Sequence, residues 1–561
     1  MIEVRNVKLP LSGGKAQGEP YNGKKLKQEV ARLLHIEGQD VASCEVIRRA
    51  VDAREKSNVC FVATVCLSLT GSSPDDVRKK EESLVQKLKS PNIVIHEPLC
   101  YEPKRFPQGI SPHIVVVGAG AAGLFCALAL AEGGAQVTLI ERGHDVLRRQ
   151  QEVTAFNETG LLNPQCNIQF GAGGAGTFSD GKLTTGTRAA AHGWILDAFV
   201  QAGAATEIIW QAKPHIGSDV LPTVIDNLVK RIEHAHGKVF WDTALIDLVI
   251  DRKKVLGVEV EHFERTQSTA KKSEIIHCDA VVLASGHSAR DVFEMLHKRQ
   301  VSLEQKPFSV GVRIEHPQAL IDKAQYGKAA GHPSLAPADY KLNIHNDDGK
   351  GVYTFCMCPG GTVVAAASEP CGVVTNGMSV FARDGSNANA ALLVNVDIDD
   401  FYEYTKQDHL FSGIVYQRLL EQKAFEAGGG EYRAPAQLVG DFLNGQASHG
   451  EGSVQSTYPR GVTWCNLNEI LPSPVSEGIK RGIRQFSRKL RGFDLADAVL
   501  TGVETRSSSP LRIIRDAHTF ESISTSGLYP CGEGAGYAGG IMSAAADGLK
   551  CADALIEQFL I

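Results

Sequence analysis

Residues 114–142 read IVVVGAGAAGLFCALALAEGGAQVTLIER, and the order of residue types is one that holds a dinucleotide. The β-branched run 114–117 suits a buried parallel strand. Gly118, Gly120 and Gly123 spell GxGxxG around Ala121 and Ala122, and residues 124–131 continue as good helix formers. A second strand over 136–140 ends on Glu141, at the spacing expected of an acid that meets a ribose. Gly118 permits the tight turn, Gly120 lets backbone approach a pyrophosphate, and Gly123 lets helix pack close on strand. The helix N-terminus offers unpaired N–H groups to phosphate. Glu141 can accept from a ribose 2′-hydroxyl and would repel a 2′-phosphate. The glycines alone are weak evidence; strand, glycines, helix, strand and acid together are strong. The apolar run is also long enough to suggest a membrane span, but its glycine break and flanking acid argue against one.

Two further stretches carry chemistry. Residues 163–183 contain Gly171, Gly173, Gly174 and Gly176, again GxGxxG by letter. Loop residues Thr177-Phe-Ser-Asp-Gly-Lys follow instead of a helix, so a loop packed against a bound ring is expected rather than a second nucleotide fold. Ser179, Asp180 and Lys182 are then polar candidates beside that ring. Residues 527–540 read as a strand followed by a glycine loop. Ile541, Ala545, Gly548, Ala552, Leu555 and Phe559 then mark one apolar helix face. Arg506, within Arg-Ser-Ser-Ser-Pro, either binds a carboxylate bidentately or braces its loop, and Arg313 is a weaker candidate. His215 and His287 either shuttle protons or are structural. Cys356 and Cys358 would share a sheet face, as a redox or metal pair or as small buried hydrophobes.

The elements that must position these groups fall into blocks. Ahead of the nucleotide motif, strands over 2–9, 44–52, 59–68 and 92–96 and helices over 25–34 and 74–88 give βαββαβ, a small ferredoxin-like domain spanning 1–98. Its middle strands lack the aromatic platform of an RNA-binding sheet, so docking or a structural role is expected. Residues 99–112, rich in proline, read as a linker. A dinucleotide-binding part over 113–304 includes helices over 146–156 and 219–236, strands over 238–243, 244–251 and 254–262, and a buried strand over 278–285. A mixed α+β substrate or cap domain is inserted over 305–500, with strands over 310–314, 352–358, 362–367 and 392–396. The chain returns to the nucleotide fold over 501–561.

A chain of 561 residues with 43% hydrophobic and 22% charged residues has the composition of an ordinary globular protein of several domains. Its net charge of −6 gives no global attraction to nucleic acid. Thirteen scattered cysteines without a CxxC pair favour a reducing compartment, and the opening residues show no export signal, so a cytoplasmic location is expected. No metal site is expected.

These residues resemble a family. Gly118xGly120xxGly123 with Glu141-Arg142, the strand running to Ala284-Ser-Gly286, and Leu528-Tyr-Pro-Cys-Gly-Glu533 with Gly539-Gly540 look like FAD-binding flavoproteins of the glutathione-reductase-like superfamily. The strings FGAGGAGTFSDGK at 170–182, PFSVGVR at 307–313, RSSSP at 506–510 and GEGAGYAGGIM at 532–542 narrow the likeness to FAD-dependent, NAD(FAD)-utilising dehydrogenases, a family named by cofactor rather than substrate. The resemblance implies a discontinuous Rossmann-like FAD domain, non-covalent FAD and a small-molecule substrate, with NADH or NADPH as a transient donor. It implies that residues 118–123 bind pyrophosphate, Glu141 the adenosine ribose, and the Leu245 backbone adenine. Glu533 would meet the ribityl or pyrophosphate region, and Gly539, Gly540, Ile541 and Met542 the flavin pyrimidine edge. Arg142, Arg149, Gly174, Gly176, Lys182, Gly286 and Gly532 join the cofactor side, with Lys182, Asp180 and Arg506 as catalytic candidates. The CxxxxC of a disulfide reductase and a second nucleotide fingerprint are both missing, so a nicotinamide would dock over the flavin face. Two other functions remain open: a flavoprotein that modifies tRNA, and a flavin-bearing protein with a binding role.

Overall fold

The computed structural model describes residues 1–15, 20–186, 190–263, 272–345, 349–407 and 409–560. At the N-terminus, Ile2–Leu9, Gly23–Leu34, Val41–Asp52, Cys60–Leu69, Pro74–Leu88 and Ile93–Ile95 follow as β-α-β-β-α-β. Their strands form one antiparallel sheet in the order second, third, first, fourth. Helix Gly23–Leu34 buries Leu26, Val30 and Leu34, and Asn22 caps it by accepting from the Lys25 N–H. Residues 98–112 form no helix or strand, yet they are strapped to the body. Phe106 is buried, the Tyr101 hydroxyl donates to Asp553 Oδ2 at 2.8 Å, and the Lys104 N–H donates to Oδ1 at 3.1 Å.

The dinucleotide strand His113–Val117 is central in a five-stranded parallel sheet. The order is Leu528–Pro530, Ala280–Leu283, His113–Val117, Gln136–Ile140 and Lys238–Phe240. Alternation along the run explains why every residue in it is apolar. Ile114 and Val116 face a helical core, while Val115 and Val117 face a second core beneath an antiparallel meander. That meander comprises Thr243–Asp251, Lys254–His262 and Lys272–His277. The strand expected over 238–243 therefore divides: Lys238–Phe240 completes the parallel sheet and Thr243 opens the meander, with Asp242 turning between them at φ +55°.

Helix Ala121–Glu132 is buried over residues 122–131 because the closing helix Ile541–Gln558 lies against it. The approach is close enough that a Cβ on Gly548 would stand 2.2 Å from the Ala122 carbonyl oxygen. The last helix thus packs on the first nucleotide helix, and the chain's end returns to its organising motif.

The inserted region is built on a seven-stranded sheet. Its order is Asn343–His345, Gly351–Cys358, Asn387–Val396, Phe308–Pro317, Val499–Glu504, Ala434–Leu438 and Val462–Trp464. A boundary at residue 500 would fall inside strand Val499–Glu504, which pairs with Phe308–Pro317 on one side and Ala434–Leu438 on the other. Among the described residues no helix is long and apolar enough to cross a membrane.

Candidate functional site

Three glycine segments from distant parts of the chain meet at the carboxyl ends of the parallel strands. Gly173 N–H donates to the Ala119 carbonyl at 2.8 Å, and a Cβ on Gly174 would lie 3.0 Å from Gly120 Cα. A Cβ on Gly176 would lie 3.2 Å from the Ile541 side chain, so this middle loop spans from the first nucleotide turn to the start of the closing helix. From the closing segment, Gly532 packs on Ala122 and Gly534 on the Gly286 backbone. The middle loop therefore rests on the other two.

The glycines fall into two physical groups. Gly118, at φ +99°, and Gly123 would put a Cβ 2.5 Å and 1.8 Å from backbone oxygens, so packing demands them. At Gly286, Gly539 and Gly540 a Cβ would meet no atom within 4 Å, and at Gly120 only Gly174 Cα at 3.9 Å. The fold leaves open space beside all four, although the positive φ of Gly286 (+79°) and Gly540 (+107°) favours glycine there; at Gly120 and Gly539 neither packing nor backbone conformation requires it. A path of bare backbone along a cleft admits a ligand that lies against peptide planes. Neither Gly120, N-cap of helix Ala121–Glu132, nor Gly540, N-cap of helix Ile541–Gln558, supplies a side-chain cap. Two uncapped helix N-termini, carrying Ala121, Ala122, Ile541 and Met542, thus flank the open path, and both attract anionic or carbonyl groups. This cradle fits FAD.

Glu141 is buried and orients the first two loops. Its Oε2 accepts from the Ala119 N–H at 2.8 Å, and its Oε1 accepts from Gly143 and Gly171 at 3.0 and 2.8 Å. Oε2 keeps a lone pair for a hydroxyl. Leu245 lies in the adjoining meander, opposite Val260 at a register shift. Arg149 faces elsewhere: it is buried, and its guanidinium donates to the carbonyls of Asn167, Ile168, Gly171 and Ala172 and to Thr177. It clips the middle glycine loop into shape. Arg142 pairs with Asp291 at 2.7 Å and covers the Phe170 ring, bracing the same region.

The catalytic candidates are more heavily engaged than their sequence contexts suggested. Arg506 is held bidentately by Glu421, at 2.9 and 2.8 Å, and also donates to Ser368. Arg290 grips the same carboxylate at 3.0 and 3.1 Å, and Thr505 adds 2.8 Å. Against the burial that would raise it, the two guanidiniums hold the Glu421 carboxyl well below the usual carboxylate range. Arg506 is thus a brace inside the inserted domain, sharing Glu421 with Arg290 of the nucleotide domain, with no donor fork left for a substrate carboxylate. Asp180 is fully buried in a bidentate pair with Arg383. Lys182 donates to the Met357 carbonyl and lies 3.4 Å from Asp180. Arg313, wholly buried, pairs with Glu504 and donates to the Cys356 carbonyl at 2.9 Å.

His215 stacks on Phe381, whose carbonyl its Nε2 meets at 3.0 Å; burial, then Arg383, pushes its imidazole down to about 4. His287 lies 3.7 Å from Glu533; burial, then Arg506 and Arg290, pushes it down to about 3. Both rings are neutral at neutral pH. Burial pushes the Glu533 carboxyl up to about 7, while the Gly540 N–H and Lys306 pull it down. A carboxyl that titrates near neutrality therefore stands at the mouth of the closing helix.

Sequence reasoning missed Glu421, Arg290, Arg383 and Asp547. The last fixes the closing glycine loop, accepting from the Gly532 N–H at 2.7 Å and bidentately from Arg515.

Residues 112–306 match the family described as pyridine nucleotide-disulphide oxidoreductase, and residues 307–507 match the FAD-dependent protein C-terminal domain. Residues 1–67 match a domain of unknown function. An uncharacterised protein of Clostridium beijerinckii is 42% identical over 536 residues, covering 95% of this chain and 96% of the relative. Among solved structures, glycine oxidase from Bacillus cereus is 12% identical, covering 80% of this chain and 95% of its own, at a TM-score of 0.29. Glycerol-3-phosphate dehydrogenase from Bacillus halodurans, complexed with FAD, is 12% identical, covering 81% and 65%, at a TM-score of 0.33. These last two likenesses are too loose to argue from.

Proposed function

This chain belongs to a family of FAD-dependent oxidoreductases, and we propose that it binds FAD non-covalently along its open glycine path to oxidise or reduce a small molecule. The observation that carries this reading is the set of four glycines beside which the fold leaves open space, flanked by two uncapped helix N-termini. Gly118, Gly120 and Gly123 take the pyrophosphate, Glu141 a ribose hydroxyl, and Leu245 the adenine through its backbone. Gly539 to Met542 take the pyrimidine edge of the ring. When bound, FAD supplies two-electron or hydride transfer.

The protein's own part is placement and charge. The N-terminus of helix Ile541–Gln558 favours the negative charge of the reduced ring. Glu533 can hold or release a proton at that end near neutral pH. The inserted domain meets the middle glycine loop where its Met357 carbonyl accepts from Lys182, next to the Cys356 carbonyl that accepts from Arg313. NADH or NADPH serves as a transient donor docking over the ring. The N-terminal unit is read as ferredoxin-like and as a docking element: Arg49 lies between Phe61 and Trp210, at 4.3 and 4.6 Å, and so joins it to the nucleotide domain. The free cysteines support a reducing, cytoplasmic setting.

The test is the visible spectrum of the purified protein, followed anaerobically while NADH, NADPH and a panel of metabolites are added. Bleaching identifies the donor and recolouring the acceptor. A flavin that no donor bleaches would favour a binding role instead.

A further inference from the structure

The strings PFSVGVR at 307–313 and RSSSP at 506–510 enter the reading above only through the braces Arg313 and Arg506. The structure folds the two strings onto one another. Ser507 Oγ donates to the Ser309 carbonyl at 2.6 Å and accepts from the Ser309 N–H at 3.3 Å, and the Lys306 N–H donates to the Pro510 carbonyl at 2.9 Å. Where they meet they wall a cavity of about 470 Å³, closed by the start of strand Gly351–Cys358 and the end of strand Asn387–Val396. That is the size of a small-molecule site. Ser508 lines this cavity. Its neighbour Ser509 meets the Leu511 and Gly534 carbonyls through its hydroxyl, at 2.8 and 3.2 Å. A Cβ on Gly536 would stand 3.0 Å from that same Leu511 oxygen. The cavity therefore abuts the closing glycine loop of the cradle.

The polar side chains of the cavity form two relays, and each ends in a donor. Tyr353 Oη donates to Ser309 Oγ at 2.9 Å, and Ser309 Oγ donates to Asn395 Oδ1 at 2.8 Å. Ser309 is buried, which fixes this relay, and with its oxygen engaged Asn395 offers the cavity its Nδ2 hydrogens. In the second relay Lys306 Nζ donates to Ser508 Oγ at 3.4 Å, which leaves the Ser508 hydroxyl proton for the cavity. Burial, then Arg512, pulls the Lys306 amine below its ordinary range, with Glu533 opposing them, so a further anion beside Ser508 would stabilise its charge. At the rim the charges are already engaged. Lys350 pairs with Asp400, and Asp397 caps helix Ile398–Thr405 by accepting from the Asp400 N–H at 3.2 Å.

We propose that this cavity is the substrate subsite of the flavin reaction and holds the carboxylate of a small organic acid. The proposal rests on the FAD reading given above and names the class of molecule that reading acts on. A carboxylate brings two acceptor oxygens to two donors, Asn395 Nδ2 and the Ser508 hydroxyl, and its charge answers the Lys306 ammonium. A neutral amide of the same shape sets an N–H group against a donor and lacks that charge. Ser309 and Lys306 are positioning residues, acting through Asn395 and Ser508. Pro307, Phe308 and Val396 give the carbon skeleton an apolar wall.

The test titrates the full-length protein, loaded with FAD, with pyruvate, succinate and benzoate by calorimetry while the flavin absorbance is followed. Pyruvamide, succinamide and benzamide are the neutral counterparts, and inorganic phosphate is the tetrahedral anion. The expected result is an acid that binds about tenfold or more tightly than its amide and shifts the flavin band. Asn395→Ala and Lys306→Met should each weaken that acid by about tenfold or more, with FAD affinity and unfolding midpoint as in wild type, and Lys306→Arg should restore most of the loss. Acids and amides that bind alike, phosphate alone binding, or no probe binding overturns the carboxylate assignment. An acid that leaves the flavin band unmoved, or binds all variants equally, overturns the subsite. A protein that takes up no FAD overturns the FAD reading, and calorimetry of the flavin-free chain then decides separately whether the cavity holds the acid.

Discussion

Glu421 is the shared acceptor of a buried charge cluster. Arg290, Arg506 and Thr505 all donate to its carboxylate, and each of these residues is buried. A buried charge pair contributes little beyond an apolar substitute, but removing one partner strands the others and costs about 3–5 kcal/mol. Glu421→Gln should therefore lower the urea midpoint steeply while leaving the m-value unchanged. A midpoint within error of wild type would show that the arginines find other partners.

Glu533 makes a second prediction at this scale. Its folded-state carboxyl is raised by burial from 4.5 to about 7, so the stability it contributes is full below 4.5 and is lost as pH rises through about 7. In the flavin-free protein, the melting temperature of wild type should fall relative to Glu533→Gln across that window. Parallel curves would contradict it. These residues also show where reading a sequence stops. Asp180 and Arg506 were recognisable as charged groups near a glycine loop, but their partners Arg383 and Glu421 lie 203 and 85 positions away. No local pattern announces such a pairing, so a brace and a free catalytic group look alike in the sequence.

At the scale of elements, the nucleotide helix and the closing helix are held by glycines acting as spacers. Gly548 lets the second helix sit on the Ala122 carbonyl, and Gly123 lets the first sit on the Gly118 carbonyl. Gly548→Ala should force the two helices apart and cost on the order of 1–3 kcal/mol by overpacking, read as a lower unfolding midpoint. An unchanged midpoint would mean the interface yields freely. These elements were legible because their signals are local: a β-branched run, glycines at fixed offsets and a four–three apolar step. The strand Ala434–Leu438 was not, since APAQL carries a proline and a glutamine that is buried only through tertiary pairing. Val499–Glu504 was misplaced for a related reason. Its residues are buried on both faces and show no alternation, and sequence alone could not assign it to the inserted sheet rather than the returning nucleotide fold.

Across the whole molecule, three glycine segments, at 118–123, 171–176 and 532–540, line one path between two helix N-termini. The inserted sheet meets the middle segment where the Met357 carbonyl accepts from Lys182. The account's central claim is that FAD occupies the path from Gly120 to Gly539. Its most direct test is equilibrium titration of flavin-free protein with FAD, followed by absorbance, on wild type, Gly120→Ala and Gly539→Ala. An added Cβ at either position meets no crowding protein atom, so both variants should unfold like wild type. The account predicts one FAD per wild-type chain and at least a tenfold weaker affinity in each variant. A wild type that takes up no FAD, or variants that bind as tightly as wild type, would contradict it.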